Sequence, residues 1–334
     1  MTTAAGVRAL VAPTGERVVA VTGADRLTFL DDTTTQALRE AAPGTATAAL
    51  VLDANGLPLL HLEVLVRPDD VLLVVPDAAS VDAVMALLAG RTFLADARFA
   101  PTDDEVVLVF DGGDAAEPGY ESAATSAAAA VTVVAGLGVA DGAVAGHGDL
   151  SVADARHGAR RLVGPPSAVA AARDALRAAG AVDGGPVDLD ARRVAVGEAT
   201  WGREVAPPHL PEELGLLPTH VHLAKGCYPG QEAVARMWML GRPRRRLARV
   251  RVEGDLAAGW TTGSARDEVR LTAVAPSGGA GLAFVPGTAA VGTRFDGAGG
   301  AVEVVGLPGD GTPPGHDPAM RRRRDRPRGV DAPA

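Results

Sequence analysis

The chain has 334 residues, 47% of them hydrophobic, and a formal charge of −9. This length supports two or three domains with cores of their own, and the acidic balance argues against a protein whose surface coats nucleic acid. One cysteine excludes an intramolecular disulfide and favours a reducing compartment. The N-terminal residues show no pattern of a secretory signal, so we expect a cytoplasmic protein without a membrane segment.

The N-terminal part alternates predicted strands and helices. A strand at residues 18–21 leads into a helix after Asp25. Asn55-Gly56 predicts a hairpin turn. Further β-rich runs lie at residues 46–53, 59–66 and 71–75.

A helix follows. Asp77 or Ser80 is suited to cap its N-terminus, and Gly90 ends it. The same order of strand, proline, helix and glycine returns at residues 162–180. This pattern is common, but it also fits an internal duplication. Two similar halves would face each other across an interface, which is a usual place for a ligand pocket.

The predicted fold class is α+β. We expect a body over residues 1–240, in two similar α+β halves of roughly 1–115 and 130–240. Short strands separated by glycine and proline then predict a small antiparallel β-barrel at 241–308. The composition of residues 309–334 predicts a disordered tail.

Rare residue types gather in one window. Of the 32 basic residues, only Lys225 is a lysine, and Cys227 is the one cysteine. Four of the six occurrences of Lys, Cys, Tyr and Gln fall in residues 225–232. The surrounding segment predicts a short strand at His220, a turn at residues 228–230 and a helix from Gln231.

Cys227 would stand just before the N-terminus of that helix and two residues from the Lys225 ammonium. Both features stabilise a thiolate, which is typical of a reactive cysteine. The alternative is a buried, inert cysteine beside a surface lysine. The residues alone do not decide between them.

Two further groups have open interpretations. His220, His222 and Cys227 would be three metal ligands if the segment is a strand, but no fourth ligand is evident, and we expect no resident metal. Arg242 and the arginines at residues 244–246 have charges that would bind a polyanion, or they are solvated surface charges. Direct nucleic-acid binding is not expected.

Residues 225–236 read Lys-Gly-Cys-Tyr-Pro-Gly-Gln-Glu-Ala-Val-Ala-Arg. They resemble the K-G-C-Y-x-G-Q-E-x-x-A-R signature of the YgfZ family, folate-binding proteins of the GcvT-like superfamily related to the glycine-cleavage T-protein. The resemblance implies two similar α+β domains with a C-terminal β-barrel, and tetrahydrofolate bound in the body. It also implies a role in assembling or repairing iron-sulfur clusters in client enzymes, such as radical enzymes that modify tRNA.

The resemblance implies that Cys227 is the key residue and that Lys225 acts beside it. It also implies that the protein makes transient contact with an iron-sulfur cluster. Its implied partners are folate and iron-sulfur client or assembly proteins, and the protein would not be a conventional enzyme. The alternative is a tetrahydrofolate-dependent aminomethyltransferase like the T-protein. The expected cofactor-binding residues are Gly226, Tyr228, Gly230, Gln231, Glu232, Arg236 and Arg193.

Two departures weaken the transferase interpretation. T-proteins carry an aspartate pair after the hairpin glycine, whereas residues 57–61 here contain no carboxylate and offer only His61. The superfamily's acidic residue between Arg193 and Gly197 is replaced by Ala195. Folate binding would then need another carboxylate, such as Glu198.

Overall fold

The structure is a computed structural model that describes residues 8–112, 143–240, 243–264 and 266–316. The junction predicted between the two halves, with its alanine-rich segment, lies outside these residues.

The body contains eleven described strands, three of which have three valines each. They are β1 (Arg8–Pro13), β2 (Arg17–Thr22), β3 (Ala46–Leu52), β4 (Pro58–Val66), β5 (Val71–Val75), β6 (Arg98–Pro101), β7 (Glu105–Gly112), β8 (Val144–His147), β9 (Leu150–Asp154), β10 (Arg160–Gly164) and β11 (Val182–Asp183).

Six α-helices are described, with a short 3₁₀ turn at Ala89–Arg91. Asp77 caps the second helix as predicted, since its Oδ1 accepts from the Ser80 N–H at 2.7 Å. The helices are α1 (Arg26–Thr33), α2 (Ala78–Leu87), α3 (Pro166–Ala178), α4 (Pro186–Val196), α5 (Leu217–His220) and α6 (Gln231–Leu240).

The body strands form two sheets. The first has the order β3-β4-β5-β2-β6, and the second has the order β11-β1-β7-β10-β9-β8. The N-terminal strand β1 therefore pairs with β7 and β11 and belongs to the second sheet. The two sheets are not built from consecutive halves, so an origin in two similar domains stays a prediction.

The sheets pack face to face through buried aliphatic side chains. Val18, Leu65 and Val74 of the first sheet share a core with Val106 and Val163 of the second. The predicted hairpin joins β3 to β4, and Gly56 takes the positive φ of 83° that its turn requires. This hairpin reaches toward the 225–236 signature.

The C-terminal strands confirm the predicted barrel in its main features. Their sheet order is β13-β14-β15-β12-β17-β16, and every pairing is antiparallel. Its two edges approach each other where Thr262 Oγ1 donates to the Asp296 carbonyl at 2.8 Å, so the sheet is nearly closed. The strands are β12 (Arg245–Gly254), β13 (Thr261–Thr262), β14 (Val269–Val274), β15 (Ala280–Pro286), β16 (Arg294–Gly297) and β17 (Gly300–Gly306).

The chain after the barrel differs from the predicted disordered tail over residues 309–316. The Pro314 carbonyl accepts from the Leu223 N–H at 3.1 Å, and the His316 ring lies edge-on to Trp238 at 4.7 Å. This segment packs on the body because its backbone and ring find partners there.

Among the residues that the structure describes, none of the helices combines the length and the apolar character that a membrane crossing needs.

Candidate functional site

Lys225 is buried and bound to the end of α1. Its side chain is 2% exposed, and Nζ donates to the Thr34 and Gln36 carbonyls at 2.8 Å each and also to the Asp31 carbonyl. The Asp31 carboxylate lies 3.7 Å away. Carbonyls at a helix C-terminus lack partners within the helix, and an ammonium offers three donors. Lys225 therefore caps α1 across 191 residues of chain.

This arrangement gives a physical reason for the single lysine. Three converging carbonyls match the three N–H bonds of an ammonium, whereas a planar guanidinium presents its donors in a fork. Burial lowers the pKa of Lys225, and Asp31 opposes that effect. The three donors are used by backbone oxygens, so none of them is left for the Cys227 thiol.

The signature turn is pressed against the β3–β4 hairpin. Gly230 has a φ of 79°, and a Cβ there would lie 2.5 Å from the Asp53 carbonyl oxygen. A Cβ on Gly56 would lie 2.8 Å from the Ala233 Cβ. Two glycines thus allow loop and hairpin backbones to touch. Lys225 and Gly230 fix the loop from both sides of Cys227.

Cys227 is exposed, so the buried and inert alternative does not apply. Its neighbour Tyr228 points inward, is 7% exposed, and lies under the Lys225 ammonium at 5.3 Å from the ring centre. Burial raises the pKa of Tyr228 to about 12. A rigid loop therefore presents the thiol to solvent.

The other signature residues lie in the loop and in the first turns of helix α6, which starts where the sequence predicts. Helix α6 begins at Gln231, and Arg236 donates to Glu232 at 2.9 Å across an exposed pair. Gly226 is exposed and has no atoms within 4 Å of an added Cβ. The Glu232 and Arg236 side chains are exposed, and Gln231 is partly exposed.

Arg193 lies elsewhere, in α4. Its Nε donates to Asp190 at 2.6 Å, and its Nη1 lies 3.3 Å from the fully buried Glu204. The structure does not bring Arg193 into the signature loop.

The predicted strand at His220 is wrong. Pro218 opens the short helix α5, which ends at His220 and turns the chain before Val221. His220 and His222 consequently have different surroundings. His220 is 2% exposed and meets His61, while a Cβ on Gly315 would touch the His222 ring at 2.4 Å.

A cavity of about 190 Å³ opens beside this histidine pair. Cys227 and Lys225 do not line it. Its polar wall consists of His61, Arg156, His157, Glu198, Thr219 and His220.

The two imidazoles are in direct contact in the wall. The Nε2 atoms of His61 and His220 lie 2.8 Å apart, and Thr219 Oγ1 lies 2.7 Å from His220 Nδ1. Burial lowers the pKa of His61 despite the opposing charge of Glu63. Burial, with repulsion from Arg156, lowers the pKa of His220 well below its ordinary value.

Glu63 sits behind the histidines and is held by arginine. Arg156 donates to both of its oxygens, at 2.6 and 3.1 Å, and Arg161 lies 3.8 Å away. Burial would raise the pKa of Glu63, but the two arginines outweigh it and hold the pKa below its ordinary value. The carboxylate is therefore a fixed anion under the cavity.

Glu198 supplies a second carboxylate at the wall. Arg192 donates to it at 2.7 Å, and Arg156 lies 3.7 Å away. Burial would raise its pKa, but Arg192 and Arg156 outweigh burial and hold the pKa at about 2. Ala195 is not part of the cavity wall, while the neighbouring Gly197 and Glu198 are.

One segment connects the cavity to the cysteine loop. Thr35 Oγ1 donates to the His220 carbonyl at 2.6 Å, and the His222 N–H donates to the Thr35 carbonyl at 2.9 Å. The Gln36 carbonyl then accepts from Lys225. The end of α1 thus positions both features.

The pairing of His61 with His220 and the role of Arg156 could not be found by sequence reasoning, since the two histidines are 159 residues apart. A signal existed at Glu63, which interrupts an apolar strand and is 5% exposed. A charge in such a strand requires a buried partner.

The chain is similar to the crystal structure of the glycine cleavage system aminomethyltransferase T from Bartonella henselae, with a TM-score of 0.71 and 18% identity over 90% of this chain and 86% of that one. At this identity the similarity shows a common fold. The chain therefore has the T-protein fold.

Two weaker similarities carry no conclusion. A heterotetrameric sarcosine oxidase from Corynebacterium sp. U-96, in complex with pyrrole 2-carboxylate, gives a TM-score of 0.33 at 14% identity over 53% of this chain and 89% of that one. The aspartate kinase from Synechocystis gives a TM-score of 0.26 at 12% identity over 84% of this chain and 40% of that one. Neither the comparison with protein-family models nor that with curated proteins gives a match.

Proposed function

We propose that this protein binds folate and assists the assembly or repair of iron-sulfur clusters in client enzymes, in the manner of the YgfZ family. The observation that carries the proposal is the exposed Cys227 on a loop fixed by Lys225 and Gly230. A thiol that is accessible and held in place suits contact with a partner protein or a cluster.

The folate part of the proposal rests on the fold and on the cavity. A pterin ring presents paired N–H donors, and Glu198 would accept from them in place of the carboxylate missing at Ala195. The cavity of about 190 Å³ is smaller than the roughly 300–1,000 Å³ typical for whole drug-sized ligands. We therefore infer that only the ring end of tetrahydrofolate enters it.

The alternative is a tetrahydrofolate-dependent aminomethyltransferase, which the name of the fold relative suggests. Residues 57–61 contain no carboxylate, and Glu63 is engaged by Arg156. Within residues 57–61, His61 is the side chain that has acid–base chemistry and lines the cavity. Release of methylenetetrahydrofolate from an aminomethyl donor would support this alternative, and we expect none.

The cluster role is tested in cells that lack the native gene and carry either the wild type or Cys227→Ala. We expect the variant to lose most of the tRNA modification made by a cluster-dependent radical enzyme. Met239→Leu, which changes an exposed side chain of helix α6 outside the expected binding residues, is the matched control and should restore modification. Full modification with Cys227→Ala would exclude a cluster role through this thiol.

A further inference from the structure

The arrangement of His61, His220 and Glu63 is that of a metal site. One ligand atom from each of the three residues lies within 4.8 Å of the other two. Two histidines and one carboxylate on one face of a metal, with the remaining positions open, are typical of six-coordinate iron(II) and similar ions. We propose that these residues bind a divalent first-row transition metal in six-coordinate geometry, open to the cavity.

The distance between the two imidazole nitrogens is compatible with neighbouring positions of a six-coordinate ion. A metal–nitrogen bond is about 2.0–2.1 Å, so two neighbouring nitrogens lie about 2.9 Å apart in an octahedron and about 3.4 Å apart in a tetrahedron. The Nε2 atoms of His61 and His220 are 2.8 Å apart. The two nitrogens now form a hydrogen bond with each other, so both rings turn toward the ion when it binds.

The surroundings of His220 and Glu63 match those of metal ligands. A ligating histidine usually bonds its other ring nitrogen to a polar group, and a ligating carboxylate is itself hydrogen-bonded. His220 Nδ1 contacts Thr219 Oγ1 at 2.7 Å, and Glu63 accepts from Arg156 at 2.6 Å. The His220 ring and the Glu63 carboxylate are thus oriented before an ion arrives.

His61, His220 and Arg156 all line the cavity, so water or a small anion from it completes the coordination. This site is separate from Cys227, and its existence does not depend on folate binding.

The test is a titration of chelator-treated, untagged full-length protein with Co²⁺, without folate and followed by visible absorption. We expect saturation at about one equivalent with the weak bands of six-coordinate cobalt. His61→Ala and His220→Ala should each weaken binding at least about 100-fold, and Thr219→Val about tenfold. His222→Ala is the matched control from the same segment and should bind as the wild type does.

Wild-type binding also has a readout that needs no variant. The proton NMR spectrum of the cobalt complex should show exchangeable, strongly shifted signals from two imidazoles. Absence of saturable binding, intense four-coordinate bands, signals from fewer than two imidazoles, or equal binding by His61→Ala would each overturn the proposal.

Discussion

The ammonium of Lys225 explains why this position carries a lysine. Its ammonium satisfies three carbonyls at the end of α1, and each of these would be left without a donor if the side chain were shortened or flattened. A buried carbonyl without a partner costs about 1–3 kcal/mol. The lysine therefore stabilises the loop that carries Cys227.

Lys225→Arg should lower the free energy of unfolding by about 2–4 kcal/mol, because the guanidinium fork cannot reach all three oxygens. Arg236→Lys changes an exposed ion pair and should cost about 0–0.5 kcal/mol. Urea unfolding measures both. Equal stability of Lys225→Arg and wild type would contradict the capping role.

The low pKa of Glu198 predicts how the free energy of unfolding changes at acid pH. Its folded-state pKa of about 2 is below the ordinary value of 4.5, so its stabilisation is complete above about pH 5 and is lost as the pH falls through the folded value. With allowance for its partial exposure, the loss is about 2–3 kcal/mol.

Glu198→Gln should therefore be less stable than the wild type at neutral pH, and the two curves should converge by about pH 2. Glu232→Gln removes the same charge from an exposed pair and serves as the control. Urea unfolding at several pH values gives the curves. A gap that persists at low pH would show that Glu198 acts through packing.

At the scale of elements, the contact between loop and hairpin decides where Cys227 stands. Gly230→Ala should destabilise the protein by at least about 2 kcal/mol, since the residue has a positive φ and its Cβ would overlap the Asp53 carbonyl. Gly226→Ala, four residues earlier, has open space and should stay within about 1 kcal/mol of wild type. Denaturant unfolding measures the stability of the two variants. Equal destabilisation by both would argue against packing of the signature turn on the β3–β4 hairpin.

Local signals predicted most elements well. Asn55-Gly56 marked the hairpin, Asp77 marked the cap of α2, and Gln231 marked the start of α6. These features depend on near neighbours in the chain. The strand predicted at His220 failed because Pro218 and contacts with Thr35 favour a helical turn there.

The rest of the site depended on contacts that no local pattern contains. The partners of Lys225 lie 189 to 194 residues away, and β1 joins a sheet formed mainly by later strands. Sequence reasoning selected Cys227 by its rarity, and the structure shows that the residue is exposed. It could not show that the lysine faces backbone carbonyls or that two distant histidines meet.

At the scale of the whole molecule, residues 308–316 tie the end of the barrel back to the body. Pro308 and Gly309 line the cavity, and a Cβ on Gly309 would lie 2.3 Å from the Gly215 Cα. His316 covers Trp238. The C-terminal segment is thus part of the wall of the candidate site.

A chain ending at Leu307 should be less stable than one ending at His316 by about 1–3 kcal/mol, because it loses the hydrogen bond to Pro314 and the ring contact at Trp238. Acrylamide should also quench its tryptophan fluorescence more strongly. Identical unfolding and quenching in the two chains would show that the segment does not hold the body.

We propose that the exposed thiol of Cys227 serves cluster-containing clients. Iron and acid-labile sulfide per molecule of one such client, isolated from cells carrying either wild type or Cys227→Ala at equal abundance, test it most directly. We predict that the client from Cys227→Ala cells lacks most of its cluster, while folate binding by the variant itself is unchanged. A client with its full cluster content in those cells would contradict the claim.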